Sequence, residues 1–87
     1  GLVPPAPPAG AAGRPWRFRR ADLDAAGHVN NAAYWTVLEE DAWDAPLFAE
    51  VEHRVPCELE PLSVVADGDR RWVVREDGAV SASFLVA

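Results

Sequence analysis

The chain has 87 residues, with 8 basic and 14 acidic side chains and a formal net charge of -6. The acidic balance argues against a general nucleic-acid binder and against adsorption to anionic membrane. Cys57 is the one cysteine, which excludes an internal disulfide or a cysteine metal cluster and fits a reducing cytoplasm.

A chain of this length is expected to form one domain, with little buried surface unless it pairs with another unit. An apolar content of 49%, including four Trp, three Phe and one Tyr, supports a folded core. The basic side chains are all arginine, and methionine is absent. No apolar run reaches membrane-spanning length, and the start lacks the basic residues and long apolar core of a signal peptide.

The opening GLVPPAPPAGAAG holds four Pro, three Gly and four Ala. Proline pairs favour extended backbone and withhold ladder donors. Residues 1–14 are therefore read as a linker or arm, and 15–87 as the domain. The alternation of PWRFRRAD predicts a strand from Trp16 to about Arg20, with Trp16 and Phe18 on one face and Arg17 and Arg19 on the other. LDAAGHVN follows as a turn. From Asn30 or Asn31 the period changes to that of a helix of 14–16 residues, with Asn30 as N-cap and Pro46 as its stop. Tyr34, Val37, Leu38 and Ala42 form its apolar stripe, flanked by Trp35, Glu39 and Trp43.

The rest predicts four strands. Val51, His53, Val55 and Cys57 fall in step, with Pro56 marking an edge or a bulge. LSVVA, RRWVVR and AVSASFLV follow, separated by turns at 67–69 and 76–78, the second carrying the Asp77-Gly78 hairpin signal. Val80, Ala82, Phe84 and Val86 are expected on one face. One helix against a mostly antiparallel sheet is an α+β architecture.

Polar chemistry concentrates in DLDAAGHVNN. Asp24 and His28 lie four residues apart around a turn that can fold both toward one cavity. A carboxylate there can orient water, and an imidazole can exchange protons near neutrality. The N–H groups at the helix start suit a developing oxyanion. Ester or thioester hydrolysis matches this combination. A structural reading stands beside it: Asp22 and Asp24 hold the turn, and Asn30 and Asn31 fix the helix entry. Metal-ligand spacing is not convincing, and no phosphate loop, serine elbow or dinucleotide fingerprint occurs. His53 reads as a structural strand residue, and Cys57 as a small buried one.

RFRRADLDAAGHVNNAAYWTVLEE resembles the acyl-ACP thioesterase family, in particular its C-terminal hotdog repeat. The likeness is carried by Asp22, Asp24, His28, Val29, Asn30, Asn31 and Tyr34, and is strong over residues 17–40. It implies a hotdog fold, a curved antiparallel sheet wrapped around one central helix. It also implies hydrolysis of a fatty acyl thioester to free fatty acid, without a cofactor or metal. Asp24 would be the catalytic carboxylate, and His28 would activate water or polarise the thioester. Asn30, Asn31, Tyr34 and Glu58 are expected to contact substrate. Two departures stand out: Ala26 occupies the position of a family Asn, and Pro56 that of a family Glu before Cys57. Glu58 or Glu60 would substitute for the latter only through a register change or a bulge. Loss of both groups makes a non-catalytic acyl-binding or dimerisation module the alternative function.

The implied partners are acyl carrier protein or a coenzyme A thioester. Arg17, Arg19 and Arg20 form a local basic patch that would answer an acidic carrier, or else a solvated face. Pairing is expected, as a homodimer or with a second hotdog repeat of a longer chain.

Overall fold

The computed structural model describes residues 5–40 and 49–86. Among these residues, β1 (Arg14–Trp16) leads through a 3-10 turn (Arg20–Asp22) and a second one (Asn31–Tyr34) into α1 (Trp35–Glu40). Four strands follow: β2 (Ala49–His53), β3 (Leu62–Asp67), β4 (Arg70–Arg75) and β5 (Val80–Val86). They form one antiparallel sheet in the order β1-β3-β4-β5-β2. The helix-facing side carries Leu62, Val64, Val73, Ala82 and Phe84, which pack with Phe18, Tyr34, Val37 and Leu38 into the core.

The first strand lies earlier than alternation predicts, at 14–16 rather than 16–20. Asp22 is the reason. Its carboxylate accepts the Arg19 N–H at 2.7 Å, which folds the next residues into a 3-10 turn and takes them off the ladder. Phe18 still reaches the core, edge-on to Trp16 and Tyr34 with ring centroids 5.8 and 5.0 Å away.

Asn30 caps the helical segment as expected, its side chain accepting the Ala32 N–H at 2.9 Å. The segment starts as a 3-10 turn, and its Tyr34, Val37 and Leu38 are buried. Ala42, Trp43, Pro46 and the expected helix end lie outside the described residues.

The strand after the helix is shorter than its in-step apolar residues predict. β2 stops at His53. Arg54 and Val55 still donate to the Ser81 and Val80 carbonyls, at 2.9 and 3.4 Å. Pro56 has no N–H to continue. Val55 is exposed, while Cys57 turns inward and is buried.

β5 contains a bulge. Val73 pairs with Ala82 and Val74 with Val80, so Ser81 is the extra residue. A bulge breaks the two-residue period. Ser81 and Ala82 are accordingly both buried. The predicted face of Val80, Ala82, Phe84 and Val86 therefore holds only from Ala82 onward. Val80 instead joins Trp72 and Ser83 in lining a cleft on the outer side of the sheet.

The proline-rich arm crosses that outer side. Pro5 and Ala6 line the same cleft, and the Trp72 indole donates to the Pro5 carbonyl at 2.8 Å. Trp72 is thereby only 2% exposed.

Candidate functional site

The turn before the helix is closed by its own main chain. Leu23 and Val29 form an isolated antiparallel bridge. Inside it, the Asp24 N–H donates to the His28 carbonyl at 2.8 Å and the Gly27 N–H to the Asp24 carbonyl at 3.1 Å. Gly27 takes the left-handed conformation, with φ of 81°, that lets so short a loop close. The Asp24 carboxylate sits within the turn: Oδ1 accepts the N–H groups of Ala26 at 2.9 Å and His28 at 3.1 Å. Asp24 thus meets His28 through the main chain. Among the described residues no hydrogen bond or ion pair joins the carboxylate to the imidazole. Asp24 is exposed and His28 half-buried.

Two further bonds anchor this turn to the domain. Asn30 donates its N–H to the Asp22 carbonyl at 2.7 Å, and Val29 donates to the Cys57 carbonyl at 2.8 Å. The second ties the turn to the segment after β2.

Between those two segments lies a cleft of about 180 Å³. Val29, Asn31 and Tyr34 line one side; His53, Pro56 and Ser81 are also at its wall. Tyr34 forms the floor of a buried hydrogen-bonded chain. Ser81 Oγ donates to the Val55 carbonyl at 2.6 Å. Having one proton, Ser81 must accept from the Tyr34 hydroxyl, 2.6 Å away. The phenol oxygen then accepts from the Cys57 thiol at 3.0 Å. Burial, with the Cys57 contact adding to it, pushes the Tyr34 hydroxyl well above its usual pKa, so the phenol keeps its proton. The His53 ring meets Tyr34 edge-on, centroids 5.1 Å apart at 70°. Part of the imidazole is open to solvent, but loss of water on the packed side pushes its pKa below the usual histidine value.

The residues expected to act are thus distributed. Asn31 and Tyr34 line the cleft, and the segment carrying them also holds His28 and Asn30. Asn30 spends its side chain on the helix cap. Glu58 is exposed, donates its main-chain N–H to Glu60 at 3.2 Å, and does not line the cleft. Glu60 is engaged with Arg75 at 3.5 Å. Cys57 is the small buried residue that its sequence setting suggests. Sequence reasoning set His53 aside and missed Ser81. His53 does carry a signal, a titratable ring among in-step apolar positions, whereas Ser81 reaches the cleft only through the bulge.

Trp16, Arg17 and Arg19 line another cleft of about 360 Å³ together with Glu39 and Glu40. Arg19 is paired with Asp22 at 3.3 Å, so this patch is mixed rather than purely basic. No group of three or more His, Cys, Asp or Glu side chains among the described residues could hold a metal ion. No helix among them is long and apolar enough to cross a membrane.

Comparison with known proteins identifies the family and the fold. The chain matches the model of the acyl-ACP thioesterase C-terminal domain over residues 8–59. Among solved structures it is similar to YbaW of Escherichia coli, described as a probable thioesterase, with a TM-score of 0.70 at 24% identity. That alignment covers 84% of this chain and 77% of YbaW and shows the hotdog fold. No curated protein matches the chain. The family match takes in β1, the Asp24–His28 turn, the start of the helix and the cleft wall except Ser81, and it brings acyl thioester hydrolysis as the general chemistry. The chain belongs to the acyl-ACP thioesterase C-terminal domain family.

Proposed function

We propose that the chain hydrolyses fatty acyl thioesters to free fatty acid, with acyl carrier protein as the carrier and coenzyme A as the close alternative. The observation that carries this reading is the Asp24-closed turn, which places His28 on the segment whose next residues, Val29 and Asn31, line the cleft. In the proposed site the His28 imidazole polarises the thioester carbonyl. Asp24 fixes the turn through Oδ1 and leaves Oδ2 to orient water at the rim of the cleft. Tyr34 and Val29 form apolar wall for the acyl carbons beside the carbonyl. Pairing of two hotdog units, in a homodimer or with a second repeat, would supply the remaining wall of an acyl groove. An acidic carrier would meet Arg17 and Arg19 only beside the acids Asp22, Glu39 and Glu40 of the same cleft, so the arginines alone do not favour it over coenzyme A.

The test is hydrolysis of long-chain acyl-ACP and acyl-CoA at neutral pH by the wild-type chain and the variants Asp24→Ala and His28→Ala. Turnover by the wild type, lost in both variants, supports the reading. Turnover that survives both substitutions rejects the site.

One observation favours the second reading, a non-catalytic acyl-binding or dimerisation module. Asp24 Oδ1 already accepts two main-chain N–H groups, and Ala26 and Pro56 bring no polar side chain to the site. Acyl ligand bound without any turnover would support it.

A further inference from the structure

Resting on the hydrolase reading, we propose that His53 is the proton-transfer residue of this site, taking the proton from a water that attacks a thioester carbonyl held in the cleft beside Asn31. The register places the side chain there. His53 pairs with Ala82, Ala82 with Val73, and Val73 with Val64. Those three partners face the core, so His53 stands on the helix side of the sheet and packs on Tyr34. Glu52, its neighbour in β2, falls on the opposite face.

The other polar groups at the cleft cannot do this work. The Arg54 guanidinium stays protonated and has no lone pair to offer. Tyr34 keeps its proton and spends it on Ser81, and Ser81 spends its own on the Val55 carbonyl. Asn31 has an amide that donates and accepts but does not titrate. Pro56 offers no ionisable group. Asp24 is exposed, as His53 is, but it has Oδ1 engaged and does not line the cleft. His53 lines it, and among the described residues neither ring nitrogen has a hydrogen-bond partner. Its desolvation against Tyr34 favours the neutral ring, the form able to accept a proton. A volume of about 180 Å³ accommodates a thioester group and water, each water occupying about 30 Å³ of liquid.

The step balances without an oxidant or reductant. Water oxygen bonds to the carbonyl carbon while one water proton passes to the His53 ring nitrogen. The carbonyl oxygen becomes an oxyanion, to which the Asn31 amide donates. Collapse of the intermediate breaks the carbon–sulfur bond, and the imidazolium returns its proton to the leaving thiolate. The products are a carboxylic acid and a thiol.

The experiment compares kcat and KM of the full chain with His53→Gln, His53→Ala and His28→Ala on one long-chain acyl-CoA and one acyl-ACP. Folding of each variant is checked by its urea transition. A proton-transfer role lowers kcat about 10²–10⁴-fold in His53→Gln with KM near wild type. Added imidazole restores part of the rate to His53→Ala, which a purely structural role would not allow. Wild-type kcat in His53→Gln, with activity abolished in His28→Ala, overturns the assignment of His53 and leaves the hydrolase reading standing. A wild-type chain inert toward both carriers overturns the hydrolase reading itself, and the role of His53 with it.

Discussion

Tyr34 donates a 2.6 Å hydrogen bond to Ser81 across 47 residues of sequence. The bond ties the start of the helical segment to the bulge of β5. Tyr34→Phe leaves Ser81 without its donor and the Cys57 thiol without its acceptor. We expect a loss of about 1–3 kcal/mol, read from urea unfolding. Ser81→Ala breaks the same bond from the other side, so the double variant is expected to lose less than the two single losses combined.

Asp24 is an acceptor within the turn, and the proposed function gives it a second, separable task as a charge near the substrate. Asp24→Asn can keep the acceptor at Oδ1 and removes the charge. Its urea midpoint is expected to stay near wild type while hydrolysis falls. Asp24→Ala removes both and is expected to lower stability as well, by about 0.5–2 kcal/mol as for other side-chain caps. Equal hydrolysis by Asp24→Asn and wild type would limit Asp24 to holding the turn.

His53 links stability to pH. Its folded pKa lies below the ordinary value of 6.5 because burial disfavours the charged ring. Between those two values the unfolded chain binds more protons than the folded one, so stability falls as the pH drops through this interval. The contribution is fully present above the ordinary value and lost below the folded one. Urea midpoints measured from neutral to acid pH should show a slope for the wild type that is shallower in His53→Gln. The effect is small, because the ring is partly in water.

The arm shields Trp72. Trp72→Phe loses the bond to the Pro5 carbonyl and is expected to cost about 0.5–1.5 kcal/mol. A chain lacking residues 1–9 should unfold at lower urea. Its extra, red-shifted emission should disappear when Trp72→Phe is added. Unchanged emission on removing the arm would show that the indole is covered by something else.

Gly13 lies where a Cβ would stand 2.7 Å from Ser63 Cβ, and no flexible side-chain end is available to move aside. Gly13→Ala is expected to cost about 1–3 kcal/mol through overpacking, and Ser63→Gly should restore most of it. Equal urea midpoints for Gly13→Ala and wild type would mean that the arm is not held against β3 at this point.

The last three strands and the helix entry were legible because their signals are local. Asn30 caps through its own side chain, and Asp77 and Gly78 shape one turn. The helix stripe of Tyr34, Val37 and Leu38 faces the core as its spacing requires. What sequence period misread has long-range or competing causes. The alternation at Trp16–Arg20 yields to the grip of Asp22 on Arg19. Val80 leaves its predicted face because one extra residue resets the phase of β5. For the candidate site, the DLDAAGHVNN segment borders the cleft through Val29 and Asn31, but a linear motif could not show that Asp24 spends Oδ1 on main-chain donors. Nor could it show that His53, 25 positions beyond His28, stands over Tyr34 in the cleft.

The file of groups from Cys57 through Tyr34 and Ser81 to Val55 points one way and ends on an amide oxygen, which has no proton to pass along. It is a dead end for conduction, and the phenol works as a dowel pinning three distant stretches of chain together. An oxidant or alkylating reagent that reached the thiol would withdraw the first pin, and the damage would register as loosening of the helix entry rather than as a change in surface charge.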